Sequence, residues 1–147
     1  MPTVRWRLLK AQYYQESLLN SDAVSHVGAR GVAQFMPGTW TQVSRELGYE
    51  SVSPHVAKYA IKAGAYYMAK LRKSWSAPRS EEDRHNLAMA SYNAGFGNLL
   101  KSQKKCGGPS GYEEIVACLP QVTGHHSEET IGYVKRIRHF WYLMETE

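Results

Sequence analysis

The fold class is decided by residues 53–75, which read SPHVAKYAIKAGAYYMAKLRKSW. Apolar residues recur there at helical spacing, on one face of the predicted helix: Val56, Tyr59, Ala60, Ala63, Tyr67 and Leu71. Ser53 and Pro54 are typical of an N-cap and of the first helical position. We therefore predict a long helix that runs to about Trp75 and packs this face into the core.

The part of the chain before this run contains two more helical patterns separated by a loop. Residues 5–19 hold apolar side chains along their length without Gly or Pro, which predicts a first helix. Three glycines and a proline in residues 21–38 predict an irregular loop, and such loops often carry chemistry. Thr39 is predicted to cap a short helix that Gly48 ends.

The part after this run is also helical. Ser80 is predicted to cap a helix that ends near Gly95, and a short helix follows over residues 96–104. Glycines within residues 107–111 break the chain, and Ser127 is predicted to cap the last helix. Because no convincing strand pair is found, we predict an all-α fold with at most a minor hairpin.

Length and composition limit the class of protein. The 147 residues, at 16.6 kDa, fit one compact domain, so we expect a single domain over residues 1–147. Hydrophobic residues at 43% and charged residues at 21% exclude a disordered or collagen-like chain. The longest apolar stretch, residues 63–69, is too short to cross a bilayer. The basic first residues are followed by polar ones, so no export signal is expected.

The net charge of +5 favours polyanionic partners such as nucleic acid, anionic lipid or acidic cell-wall polymer, without choosing among them. We interpret the basic run Lys101, Lys104 and Lys105, joined by Arg136 and Arg138, as a solvated face, with attraction to an anionic envelope as the second interpretation. Contact with nucleic acid is a further alternative, for which no recognition-helix motif is found. His125 and His126 lack further ligands at suitable spacing. We therefore assign no metal and no cofactor.

Two cysteines are too few for a disulfide scaffold or for a four-ligand zinc site. Cys106 and Cys118 flank the glycine-rich break, a loop that a covalent link would fasten. We predict that they form a disulfide in an oxidising compartment, with two free thiols as the alternative.

The strongest functional signal is a series of five motifs in a set order along the chain. They are Glu16-Ser17, GARGVAQFMPGT at residues 28–39, ASYNAGFG at residues 90–97, Glu129-Thr130 and Gly132-Tyr133-Val134. Together they resemble the catalytic domain of the lytic transglycosylases, goose-lysozyme-like enzymes that cut bacterial peptidoglycan, over nearly the whole chain. The resemblance implies a lysozyme-like α fold with a sugar-binding cleft.

The resemblance also implies roles for individual residues. Glu16 matches the single catalytic acid and base of the family, with Ser17 and Glu129 at supporting positions. Six residues match positions that bind substrate, and we expect them to gather around Glu16: Ser25, Gln34, Met36, Tyr92, Asn93 and Tyr133. Four residues depart from the family pattern: Val32 and Ala33 replace the usual Leu and Met, Arg30 replaces a small polar residue, and Ser91 replaces Ala.

The chemistry of glycoside cleavage supports the role of Glu16. The acid that protonates the leaving oxygen must stay protonated near neutral pH, and desolvation between Tyr14 and Leu18 is expected to raise the pKa of Glu16. Glycosidases ordinarily use two carboxyl groups, and nothing in the spacing of Asp22 places it across the bond. One carboxyl group suffices if the 6-hydroxyl of N-acetylmuramic acid is the nucleophile, which leaves a 1,6-anhydro sugar.

The resulting hypothesis is a peptidoglycan lytic transglycosylase that cleaves the β-1,4 bond between N-acetylmuramic acid and N-acetylglucosamine. A muramidase on the same fold and a non-catalytic glycan-binding module are the alternatives. We expect glycan strands as the partner, no nucleic acid, no stable membrane insertion, and a monomer. The site of action would be the cell wall in the periplasm, reached by a phage enzyme or by a domain of a longer protein.

Overall fold

The computed structural model describes residues 6–146, which form helices and no strand. The helices are α1 (Trp6–Ser17), α2 (Pro37–Leu47), α3 (Ala57–Ser74), α4 (Glu81–Ala94), α5 (Phe96–Lys105), α6 (Tyr112–Val116), α7 (Pro120–Thr123) and α8 (His126–Glu145). The prediction of an all-α fold is confirmed. Arg5, at the start of the predicted first helix, and most of the basic amino-terminal residues lie outside the described part.

The chain divides into two compact units, so the expectation of a single domain stays a prediction. The first unit comprises Met1–Tyr67 and Ile137–Glu147, and the second comprises Met68–Arg136. In the described part of the chain, no helix is both long enough and apolar enough to span a membrane.

In the first unit, α1 packs through a buried face that includes Leu8, Leu9 and Tyr13. The Tyr13 hydroxyl donates a hydrogen bond to the Ile61 carbonyl oxygen at 2.8 Å. Gly64 allows this approach, because a Cβ at that position would overlap the Tyr13 hydroxyl. Glycine is therefore required inside α3, where it otherwise disfavours a helix.

In the second unit, α4 is almost entirely buried along residues 87–91. The Ser91 hydroxyl accepts a hydrogen bond from the Trp75 indole nitrogen at 2.9 Å. A buried indole N–H needs such a partner, which explains the serine where the family usually has alanine. The predicted disulfide between Cys106 and Cys118 is confirmed, and it closes the segment between α5 and α7.

Helix ends test the local predictions most directly. Ser80 caps α4 as predicted, since its hydroxyl accepts the backbone N–H of Asp83 at 3.0 Å. Gly48 ends α2 in the left-handed conformation, as predicted. The predicted caps at Thr39 and Ser127 are wrong, because both residues lie inside their helices.

The start of α3 also differs from the prediction. Ser53 does not cap the helix: its hydroxyl accepts the backbone N–H of His55 at 3.1 Å in a local turn. The helix then begins at Ala57, after a turn in which the Val56 N–H bonds to the Ser53 carbonyl oxygen at 3.1 Å. A serine side chain can close a turn as readily as it can cap a helix, and sequence alone does not separate the two uses.

Candidate active site

Glu16 lies at the carboxyl end of α1, in the first unit, as the second-last residue of the helix. Its side chain is half-buried. The next residue anchors this end of the helix, because the Ser17 hydroxyl donates to the Val32 carbonyl oxygen at 2.8 Å and also lies 3.2 Å from the Tyr13 carbonyl oxygen. The backbone next to Glu16 is thereby attached to the loop that follows α1.

Two leucines turn the chain sharply after Ser17. Leu18 and Leu19 have φ values of 56° and 62°, in the left-handed region that side chains with a Cβ rarely adopt. They are also exposed, at 70% and 43% of their surface. A strained, solvent-facing turn beside a candidate catalytic group is a common feature of functional sites.

The loop over residues 20–36 is organised by its own hydrogen bonds. The Ser25 hydroxyl accepts the backbone N–H groups of Ala29 at 3.0 Å and Val27 at 3.3 Å. Arg30 and Phe35 exchange two backbone hydrogen bonds, of 3.0 and 3.1 Å. These contacts form isolated bridges instead of the minor hairpin that the sequence allowed.

Gln34 sits in this loop with a left-handed backbone, at φ 50°. Its side-chain nitrogen donates to the carbonyl oxygens of Gly31 at 2.9 Å and Ala23 at 3.2 Å. Because both carbonyl oxygens accept from the side-chain nitrogen, they fix the orientation of the amide, with its NH₂ group toward the loop backbone. Among the described residues its Oε1 has no hydrogen-bond partner, which leaves it available as an acceptor.

Met36 and Tyr13 complete the description of the first unit. Met36 is 44% exposed and occupies the position before the first residue of α2, Pro37.

Tyr13, three residues before Glu16, was not among the predicted site residues. Burial raises the pKa of the Tyr13 hydroxyl, and the Glu16 carboxylate raises it further. Spacing of i and i+3 on a helix is the sequence signal that would have found Tyr13.

The remaining predicted residues lie in the second unit. The Asn93 side-chain oxygen, at the end of α4, accepts a hydrogen bond from the Thr130 hydroxyl of α8 at 2.7 Å. Its side-chain nitrogen has no partner among the described residues and remains a free donor. The motif Glu129-Thr130 therefore contacts Asn93 through its threonine, which sequence reasoning did not single out.

Glu129, Tyr133 and Tyr92 have different surroundings. The Glu129 carboxylate is exposed and lies 3.5 Å from the His126 ring nitrogen, one helical turn away. Tyr133 is buried and Tyr92 is half-buried. The predicted site residues thus form two sets, one in each unit, and the contacts described here lie within each set.

The described residues contain no group of three or more His, Cys, Asp or Glu side chains that could hold a metal ion. His125 and His126 are both exposed. The predicted site residues themselves carry carboxyl, amide, hydroxyl and thioether groups.

Comparisons with known proteins agree with the motifs. The profile of the transglycosylase SLT domain family matches residues 1–115. The membrane-bound lytic murein transglycosylase F of Alteromonas mediterranea is 32% identical, across 92% of this chain and 31% of the relative. The same-named protein of Idiomarina loihiensis is also 32% identical, across 92% of this chain and 32% of the relative.

Solved structures show the same fold. An inactive mutant of the lytic transglycosylase Slt from Pseudomonas aeruginosa superposes with a TM-score of 0.73 at 28% identity, over 94% of this chain and 21% of the other. The 70 kDa soluble lytic transglycosylase of Escherichia coli has a TM-score of 0.70 at 25% identity, over 96% of this chain and 22% of the other. The chain thus spans about a third of the length of these curated relatives and about a fifth of these solved chains. By the match to its profile, the chain belongs to the transglycosylase SLT domain family.

Proposed function

We propose that this chain is a peptidoglycan lytic transglycosylase that cleaves the β-1,4 bond between N-acetylmuramic acid and N-acetylglucosamine. Relatives named as lytic murein transglycosylases support the substrate class. The observation that carries the proposal is Glu16, a half-buried carboxyl at the end of α1 whose neighbour Ser17 is tied to the Val32 carbonyl. Such a carboxyl has a fixed backbone and limited contact with water, as a general acid requires.

In the proposed mechanism Glu16 acts twice. Its protonated carboxyl first gives a proton to the glycosidic oxygen, the bond from the anomeric carbon to that oxygen breaks, and positive charge builds on the muramic ring. The carboxylate then takes the proton of the 6-hydroxyl as that oxygen attacks the anomeric carbon. Glu16 ends protonated again, no water is consumed, and the new end is a 1,6-anhydro sugar.

Neutral groups are proposed to hold the glycan. The free Oε1 of Gln34 can accept a hydrogen bond from a sugar hydroxyl or acetamido N–H, and the free nitrogen of Asn93 can donate one. The exposed thioether of Met36 offers an apolar contact for a sugar face. We assign Ser25, Tyr92 and Tyr133 to substrate binding as well, with Ser17 and Glu129 in support.

We further propose that the enzyme works as a monomer on the cell wall in the periplasm, delivered by a phage or as a domain of a longer protein. The Cys106–Cys118 disulfide supports an oxidising compartment, because such bonds are rare where thiols are kept reduced. Size-exclusion chromatography of the purified chain tests the monomer.

The central experiment compares Glu16→Gln with Asp22→Asn on purified cell walls, with mass spectrometry of the released fragments. Both changes replace a carboxylate by its amide, and Asp22 is exposed in the turn after α1. We expect Glu16→Gln to remove all but a few per cent of cleavage, Asp22→Asn to remain near the parent, and the parent products to carry 1,6-anhydro ends.

Each rival function predicts a different outcome, in this experiment or in a gel shift with duplex DNA run beside it. Fragments with reducing ends, heavier by one water, would identify a muramidase. Binding to walls without release of fragments would identify a glycan-binding module. A gel shift of duplex DNA without lysis would identify a nucleic-acid binder.

A further inference from the structure

We infer that a lysine-lined pocket formed by α5 and α7, within the second unit, binds the carboxylates of the acidic stem peptides of peptidoglycan. The pocket has a volume of about 490 Å³ and is lined by Asn98, Lys101, Lys104, Lys105, Gln121 and Val122. The inference rests on the proposed function, since that function supplies peptidoglycan as the substrate.

The charge of the pocket is the first argument. Lys101, Lys104 and Lys105 stand at i, i+3 and i+4 on α5, so their ammonium groups share one face of the helix. None of the three forms an ion pair with a carboxylate of the described residues. Like charges at this spacing weaken a helix, and an anionic ligand would remove the repulsion.

The end of α5 accounts for only part of this cluster. Cations in the last turn of a helix interact favourably with its dipole, which suits Lys104 and Lys105. Lys101 lies a full turn earlier, where the dipole has little effect. The convergence of all three on one concavity is therefore not explained by the helix end alone.

A covalent link holds the two walls of the pocket in place. Cys106 follows Lys105 directly, and its disulfide partner Cys118 lies three residues before Gln121. The Ser102 hydroxyl attaches α5 also to α6, since it donates to the Ile115 carbonyl oxygen at 2.5 Å. A site fixed in this way loses little conformational freedom when a ligand binds.

The size and the remaining lining favour a peptide over a simple anion. A volume of about 490 Å³ lies in the range of sites for small organic ligands and far exceeds one phosphate or carboxylate group. Gln121 offers an amide that pairs with a peptide backbone, and Val122 offers an apolar contact. Asn98 offers its side-chain oxygen as an acceptor, because its nitrogen already donates to the Ala94 carbonyl oxygen at 2.8 Å. Lysines, as mobile point charges, suit several carboxylates spread along a short chain.

The test uses the triple variant Lys101→Gln, Lys104→Gln, Lys105→Gln and a matched control with the same change in charge. The control is Lys62→Gln, Lys73→Gln, Lys135→Gln, three exposed lysines outside the pocket. Both variants are assayed on intact cell walls and on glycan strands from which the peptides have been removed with an amidase.

We expect the pocket variant to lose about tenfold in rate on intact walls, the effect of a few partly exposed charge pairs, and to match the parent on stripped strands. The control should match the parent on both. Equal losses in the two variants, equal losses on both substrates, or no loss at all would overturn the inference. If the parent itself forms no anhydro product on either substrate, the proposed function fails instead.

A binding measurement separates the inference from catalysis altogether. Fluorescence anisotropy of a labelled synthetic tetrapeptide with three free carboxylates is compared with that of its fully amidated counterpart. We expect only the acidic peptide to bind, and its affinity to fall in the pocket variant and after reduction of the disulfide. Equal binding of both peptides, or displacement of the acidic one by an equal concentration of inorganic phosphate, would contradict a peptide site.

Discussion

The Ser17 hydroxyl donates a hydrogen bond to the Val32 carbonyl oxygen at 2.8 Å, across fifteen positions of the chain. This contact attaches the last turn of α1, which carries Glu16, to the loop that carries Gln34. The position of the Glu16 backbone thus depends on a residue whose own side chain performs no proposed chemistry. Ser17 is therefore a positioning residue.

Replacing Ser17 by alanine should lower activity more than stability. The lost hydrogen bond contributes about 1 kcal/mol to folding, whereas a shift of the acid relative to the glycosidic oxygen lowers turnover by about tenfold or more. The measurements are kcat and KM on soluble glycan strands and the melting temperature. We expect kcat to fall with little change in KM. Ser74→Ala, which removes an exposed hydroxyl bonded to the Lys70 carbonyl, is the control. An unchanged kcat would remove Ser17 from this role.

Replacing Leu18 by glycine should stabilise the protein by up to about 1 kcal/mol, because glycine adopts a positive φ without steric cost. The leucine at φ 56° is 70% exposed, so little packing is lost. Urea unfolding measures the change. Leu143→Gly, at a 46% exposed position inside α8, should destabilise by about 1 kcal/mol. A loss of stability in both variants would show that the turn is not strained.

Replacing Gly64 by alanine should destabilise the first unit by about 1 to 3 kcal/mol, although alanine is the better helix former. The added methyl group would overlap the Tyr13 hydroxyl and break its hydrogen bond to Ile61. The double variant with Tyr13→Phe should recover part of the loss. Gly97→Ala, where a Cβ meets no atom within 4 Å, should be neutral or stabilising. Thermal unfolding distinguishes these outcomes, and equal effects at positions 64 and 97 would refute the packing argument.

Removing the disulfide should cost roughly 2 to 3 kcal/mol of stability, the usual effect of a link that closes a short loop. Cys106 and Cys118 are separated by 12 positions. Unfolding is compared with and without reductant, and in the double variant Cys106→Ser, Cys118→Ser. Thiol titration of denatured, unreduced protein from an oxidising medium should find no free thiol. Two titratable thiols would show that the pair does not form there.

Stability should fall as the pH rises above 10, because buried tyrosines stay protonated in the folded protein while they ionise in the unfolded chain. Burial raises the pKa of Tyr112, and Glu113 raises it further. Because the pKa of Tyr112 is higher in the folded protein than in the unfolded chain, the stability that its protonated hydroxyl contributes is fully present below the unfolded pKa of about 10. That stability is lost as the pH rises above this value. Urea unfolding at pH 9 and pH 11 measures the effect.

Between pH 9 and pH 11, the free energy of unfolding of the Tyr112→Phe variant should fall by about 1 kcal/mol less than that of the parent. At pH 7 it should be as stable as the parent or slightly more so, since in the described part of the structure the buried hydroxyl of Tyr112 has no hydrogen-bond partner. Tyr142→Phe, at a 61% exposed position, is the control. An alkaline loss that is identical in the parent and Tyr112→Phe would contradict the assignment.

Features that depend on neighbouring residues were predictable from sequence. Ser80 caps α4 and Gly48 ends α2 because both act on backbone groups within a few positions. The same local rules failed at Ser53 and Ser127. The Ser53 side chain closes a turn with His55, and the Ser127 hydroxyl donates to the Gly124 carbonyl oxygen at 2.7 Å. A short hydroxyl side chain has several nearby partners of similar energy, and the surrounding structure selects among them.

The sequence by itself determined the all-α class, through helical periodicity, and the family, through motifs in a set order. It also identified Glu16 as the candidate acid, since a carboxyl group within a motif can be read without coordinates. Only the tertiary structure decided that Ser17 is hydrogen-bonded to Val32, that Thr130 is hydrogen-bonded to Asn93, and that Lys101 lines the same pocket as Gln121. These pairs are far apart along the chain, so their contact depends on how whole helices and loops pack, and no local pattern of residues specifies that packing.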